Sequence, residues 1–263
     1  MPTVTVNGVE HGYDEAGDGP PLLLIHAGIA DRRMWDDVME VFSSRHRVIR
    51  YDMQGYGVTP LPDGPFAYTA DAAALLEALD AVPASVVGVS MGAGVAMDLA
   101  LAHPEVVDRL VLVAAGLGGW DWDETMEAAD AAELEALDRG DFDGASWHNV
   151  EFWVDGPHRT ADDVDVELRE KVFAMQRQAF SWENPNAVGS WLVSDRHLRL
   201  GEIAAPTLIV TGELDQPDFA GIAVVLEDQI PDARWESIAG VTHLPPMEAP
   251  AGFAELVLDF LAD

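Results

Sequence analysis

Short apolar runs alternate with helix-spaced stretches over roughly the first 115 residues of the chain. Residues 3–6 read Thr-Val-Thr-Val, an alternating edge pattern, and Leu22-Leu23-Leu24-Ile25 and Val48-Ile49 are apolar runs bounded by turn residues. Runs of this kind suit buried strands. Between 34 and 42, and again between 71 and 79, apolar residues recur three and four apart, the spacing of one helix face. Val86-Val87-Gly88-Val89 and Leu110-Val111-Leu112-Val113 add two further strands. Strands that are apolar throughout must be covered on both faces, so the pattern predicts an α/β protein with a mostly parallel, doubly wound sheet.

After Gly116-Leu117-Gly118-Gly119 the pattern changes. Residues 118–200 are rich in Trp and carboxylates and contain no short β-branched run like the earlier strands, which predicts an inserted helical segment. Within it, 164–180 carries Val166, Leu168, Val172, Phe173 and Met175 among charges, as one amphipathic helix would. The strand pattern resumes at Thr207-Leu208-Ile209-Val210, followed by a helix near 220–230, a strand near 234–238 and a closing helix near 251–261. The expected organisation is a core of 1–117 and 201–263 interrupted by a cap of 118–200, without internal repeats or low-complexity linkers.

Composition narrows the function classes. Of 263 residues, 49% are hydrophobic and none is Cys, which excludes disulfides, a thiolate nucleophile and sulfur-ligated metal sites. With 14 Lys and Arg against 47 Asp and Glu, the net charge of -33 repels phosphate backbones and anionic lipid surfaces, so neither a nucleic acid nor a membrane is an expected partner. The start, Met1-Pro2-Thr3, lacks a basic and then apolar leader, and a cytoplasmic protein is expected. Lys171 is the sole lysine. A GC-rich genome would account for that but would also raise Arg, so adaptation to high salt stays open beside it. A homo-oligomer is also left open, although charge of this size opposes nonspecific association.

The candidate chemistry starts at Ser85-Val86-Val87-Gly88-Val89-Ser90-Met91-Gly92-Ala93-Gly94, where an apolar strand runs through GxSxG into a helix. Gly88 and Gly92 remove the side chains that would collide in so tight a reversal. Ser90 is thereby held out at the sheet edge, with the N–H groups of a helix start beside it. A serine hydroxyl needs a base. His243 lies in a loop between the last predicted strand and helix, whereas His11, His46, His103, His148, His158 and His197 read as surface or capping residues. The carboxylate that would orient the imidazole is expected at a strand end. Asp215 follows Thr207-Leu208-Ile209-Val210-Thr211-Gly212, with Glu213 next to it as an alternative and Asp121 or Asp123 as weaker ones.

The order Ser90, Asp215, His243 resembles that of α/β-hydrolases, and the likeness spans nearly the whole chain. His26-Ala27-Gly28 resembles the family's His-Gly turn after its third strand, with Ala27 in place of Gly. The resemblance implies an oxyanion hole from the backbone N–H groups of Gly28 and Met91, and substrate contacts at His26 and Ile29. Asp52-Met53-Gln54-Gly55-Tyr56-Gly57 is similar to the family's DxRGxG turn with Gln54 where Arg is usual, and the His243 loop resembles GxGH with Val241 for the second Gly. Residues 118–200 match the family's helical cap. Its Trp120, Trp122, Trp147, Trp153, Trp182 and Trp191 give it a heavy aromatic load, and Trp147 and Trp153 are the expected pocket residues. The cap and the stretch from Gly212 to Phe219 are most similar to hydrolases grouped with 3-oxoadipate enol-lactonases.

The expected activity is therefore hydrolysis of a small-molecule carboxylic ester or lactone through an acyl-enzyme, with no metal or cofactor. Carbon–carbon bond hydrolases and cofactor-free haloperoxidases share the triad, and a ligand sensor on the same scaffold is a rival of another class. An enol-lactone is anionic, so its capture would need a local cation, for which Arg32, Arg33, Arg159 and Arg177 are candidates.

Overall fold

The computed structural model describes residues 2–182, 184–190, 193 and 195–262. Its strands are β1 (Thr3–Val6), β2 (Val9–Ala16), β3 (Pro21–Ile25), β4 (Arg47–Tyr51), β5 (Gly64–Ala67), β6 (Ala84–Val89), β7 (Val107–Val113), β8 (Ala187–Ser190), β9 (Thr207–Gly212) and β10 (Ala233–Ile238). Its α-helices are α1 (Asp36–Ser43), α2 (Tyr68–Ala78), α3 (Met91–Ala102), α4 (Glu124–Asp138), α5 (Phe142–Asn149), α6 (Val166–Ala179), α7 (Pro217–Gln229), α8 (Pro245–Glu248) and α9 (Pro250–Ala262).

Eight strands form one sheet in the order β1-β2-β4-β3-β6-β7-β9-β10. The two pairings of β2 are antiparallel and all the others are parallel. The uninterrupted apolar runs have the expected cause. Along β3 and β7, Leu23, Ile25, Leu110 and Leu112 join α2, α3 and α7 in one core, while Leu22, Leu24, Val111 and Val113 join α1 and α9 in the other. Each such side chain, fully withdrawn from water, stabilises the fold by about 1.5–3 kcal/mol.

Three strands, β2, β5 and β8, depart from expectation. Strand β2 is absent from the predicted set because Glu10, Asp14 and Glu15 obscure its alternation. It carries His11 inward: the ring is fully buried and Nδ1 lies 3.1 Å from the Asp52 carbonyl, so the expectation of a surface histidine is corrected. His46 is buried as well.

The stretch between β7 and β9 contains α4, α5, a π-helix (Val150–Asp155) and α6, but it is not wholly helical. Strand β8 pairs in parallel with β5, matching Gly64 with Ala187 in a separate two-stranded sheet. Its sequence, Ala-Val-Gly-Ser, has little strand propensity. The pairing comes from β5, more than a hundred residues earlier, with Ser190 Oγ donating 3.0 Å to the Phe66 carbonyl. Trp191, one of the expected cap aromatics, lies outside the described residues.

Candidate active site

Strand β6 and helix α3 meet at Ser90, whose backbone has φ 54° and ψ -113°. A positive φ is strained for any residue with a Cβ, and it persists only where the surroundings impose it. Here the surroundings are two glycines. A Cβ on Gly88 would overlap the Gly92 carbonyl, and one on Gly92 would come 2.6 Å from the His26 carbonyl oxygen. The Ser90 N–H donates to the Val113 carbonyl at 2.8 Å, tying the turn to β7. Although Ser90 is the N-cap of α3, its side chain makes no capping bond, so the hydroxyl stays available. Gly28 lies against Met91, the first residue of α3: a Cβ on Gly28 would sit 3.6 Å from the Met91 Cβ and Sδ.

Asp215 follows β9, and His243 lies in the loop between β10 and α8. Asp215 Oδ2 is 2.9 Å from His243 Nδ1, with both side chains almost completely buried. A carboxylate only accepts, so Nδ1 carries the proton and Nε2 is the lone-pair nitrogen of the neutral ring. That Nε2 is buried and has no hydrogen-bond partner among the described residues. Asp215 Oδ1 is held by the Gln216 N–H at 2.8 Å. Two of the other candidate carboxylates are engaged elsewhere. Glu213 accepts from the Gly240 N–H at 3.0 Å, and Asp123 caps α4 through the N–H groups of Thr125 and Met126.

The histidine loop is clamped by its neighbours. Thr242 donates its N–H to Glu248 at 3.0 Å and lies 3.0 Å from the Val154 carbonyl through Oγ1. Arg159 reaches Glu248 at 2.7 Å, joining the loop to the segment that follows the π-helix.

Ser90 and Met91 open onto a cavity of about 800 Å³ lined also by Trp120, Trp122, Trp153 and Phe219. Trp153 and Phe219 also pack on the His243 ring, with centroids 4.3 and 4.7 Å away, so these two rings connect the cavity to the histidine. Trp153 sits in the π-helix, a rare form that is frequently found at functional sites. Trp120 is fixed by its Nε1–H, which donates to Asp218 at 2.8 Å.

Several expected pocket residues lie elsewhere. Trp147 stacks on Phe173 at 4.4 Å beneath Arg169 and does not line the cavity. Ile29 is buried in the core. His26 is fully buried, with Nδ1 2.8 Å from the Ala27 carbonyl and Nε2 accepting from the Met53 N–H at 3.0 Å. Burial holds its pKa below that of an ordinary histidine, and with both ring nitrogens occupied it fastens the Gly28 turn to the loop after β4.

The four arginines considered for anion capture are also committed elsewhere. Arg32 pairs with Asp14 and Asp52, Arg33 with Asp31, Arg159 with Glu248 and Arg177 with Asp143. The one cation among the described residues of the cavity wall is Arg196, which sequence reading missed. It stands beside fully buried Asp98, Nε to Oδ1 3.2 Å, a pairing no local pattern announces.

The family model for the alpha/beta hydrolase fold matches residues 20–250. The chain is 40% identical over 278 residues to an uncharacterized protein of Mycobacterium tuberculosis, covering 98% of this chain and 80% of that one. It is 28% identical over 273 residues to the 2-hydroxymuconate semialdehyde hydrolase of a Pseudomonas species, covering 97% and 92%. Among solved structures it is similar to Est816, described as an N-acyl homoserine lactone degrading enzyme, with TM-score 0.79, 28% identity and coverage of 98% and 100%. On the strength of the family match and of a sheet, elbow and histidine loop in the family's order, the chain belongs to the α/β-hydrolase fold family.

Proposed function

We propose that this hydrolase cleaves a carboxylic ester or lactone through an acyl-enzyme formed on Ser90. The observation that carries the reading is the buried Asp215–His243 pair, whose free Nε2 belongs to a ring packed against the walls of the cavity that exposes Ser90. In the proposed cycle Ser90 Oγ attacks the carbonyl carbon while His243 Nε2 takes its proton. The tetrahedral oxyanion accepts from the N–H groups of Gly28 and Met91, and collapse expels the alcohol, which leaves with the proton from His243. Water, deprotonated by His243, then attacks the acyl carbonyl and releases the acid and free Ser90. Asp215 orients the ring and stabilises the imidazolium. Residues 118–200 act as the cap, contributing Trp120, Trp122 and Trp153 to the substrate side of the cavity.

Likeness to a lactone-degrading enzyme supports this substrate class. A second reading, hydrolysis of a carbon–carbon bond in a vinylogous diketone on the same residues, draws on the likeness to 2-hydroxymuconate semialdehyde hydrolase. The test is turnover of p-nitrophenyl esters of increasing acyl length, of lactones and of a vinylogous diketone by wild type and Ser90→Ala. Ester or lactone hydrolysis lost by about 10³-fold or more in Ser90→Ala is expected. Turnover of the diketone alone would move the assignment to the second reading, and rates equal in both proteins would remove Ser90 as nucleophile.

A further inference from the structure

The cavity's charge is opposite to what an anionic substrate requires. Its walls are aromatic, with Trp120, Trp122, Trp153 and Phe219. At its mouth stand three exposed carboxylates, Asp121, Glu127 and Asp130. Against these there is one cation among the described lining residues, Arg196. Its guanidinium faces the fully buried Asp98 at 3.2 Å, so the pair adds no net positive charge.

An aromatic face attracts an ammonium group through its quadrupole and gives a carboxylate nothing comparable. Carboxylates around an opening raise the local concentration of cations and lower that of anions. The net charge of -33 acts in the same direction at long range. We infer that the cavity selects esters or lactones bearing a cationic, ammonium-type group and discriminates against carboxylate-bearing ones, with Glu127 and Asp130 as determinants of that preference. This inference rests on the proposed serine-hydrolase reading for its chemistry, but the cavity's charge preference can be measured without turnover.

The experiment compares kcat/KM at low ionic strength for three p-nitrophenyl esters of matched length: trimethylammoniobutyrate, its uncharged all-carbon isostere, and glutarate. Two double variants each remove two negative charges. Glu127→Gln/Asp130→Asn changes the cavity mouth, and Glu255→Gln/Asp259→Asn changes exposed positions of α9 that do not line the cavity. The cationic ester is expected to exceed glutarate by about tenfold or more, with the isostere between. That ratio is expected to fall by about threefold or more in the mouth variant and to stay within about 1.5-fold in the α9 variant.

Glutarate cleaved as well as the cationic ester overturns the inference. An equal response of the two double variants also overturns it, because the preference then belongs to the net charge of the whole molecule. Binding of phenyltrimethylammonium and of benzoate to Ser90→Ala, followed by Trp fluorescence, separates the two readings. If none of the three esters is turned over but the ammonium binds at least about tenfold tighter, the ester reading fails and the charge inference stands. Tighter binding of benzoate defeats the inference whatever the turnover.

Discussion

His26 and His243 are both withdrawn from water, and the difference between them is one nitrogen. His26 has partners on both ring nitrogens, whereas His243 keeps Nε2 without one. That separates a structural imidazole from one able to take a proton, and residue type alone could not, since each stands in a loop after a strand. The His26 arrangement has a thermodynamic consequence. Its folded pKa is lowered by burial from 6.5, so below about that pH the unfolded chain binds a proton that the folded protein refuses. Its contribution to stability is complete above the unfolded value and is lost as pH falls through it towards the lower folded value. Urea unfolding between about pH 5 and pH 8 should show stability rising with pH, with a share of up to ~1.4 kcal/mol per pH unit from this group. His26→Asn should flatten that slope, and identical slopes in the two proteins would show that His26 is not responsible. Ser90, Asp215 and His243 were legible because turn chemistry and strand ends surround each of them. Arg196 and the retreat of Trp147 from the cavity were not, because both depend on contacts made across the fold.

At the scale of elements, the strand-to-helix reversal at Ser90 depends on two missing side chains. Gly88→Ala would push a methyl group to within 2.7 Å of the Ala93 backbone nitrogen, where neither β6 nor α3 can yield without moving Ser90. Gly252, on α9, has nothing within 4 Å of a built Cβ. Gly88→Ala is expected to destabilise by about 1–3 kcal/mol and to lower ester turnover, while Gly252→Ala is neutral or stabilises by up to about 1 kcal/mol. Paired urea melts and rates check this, and a fully active, fully stable Gly88→Ala would refute the steric account of the elbow. Strands β3, β6, β7 and β9 were readable because both of their faces are buried over most of their length, so each carries a run of apolar residues. Strand β2 was missed because its charged residues look outward. The β5–β8 pairing was missed because neither partner carries a strand pattern without the other.

For the molecule as a whole, packing leaves a large charge imbalance unanswered. Lys171 pairs with Asp36 and Arg50 bridges Asp14 and Asp36, yet 14 cations cannot answer 47 carboxylates. The excess repels itself in the compact state and is screened as the Debye length falls to ~3 Å at molar salt. The melting temperature should therefore rise by about 5 °C or more between dilute buffer and molar sodium chloride. A value that does not move would indicate that the acidity carries no salt adaptation. None of the described helices is long and apolar enough to cross a membrane. The chain's own pattern determined the parallel sheet, the strand-to-helix turn at Ser90, and the places of Asp215 and His243 after later strands, because burial on two faces and a tight turn each restrict the residues that can stand at a position. Which aromatics and carboxylates line the cavity and how Arg196 is neutralised were decided only in three dimensions. Those properties arise where α4, the π-helix, α7 and the elbow converge, and no local stretch of sequence encodes the distances between them.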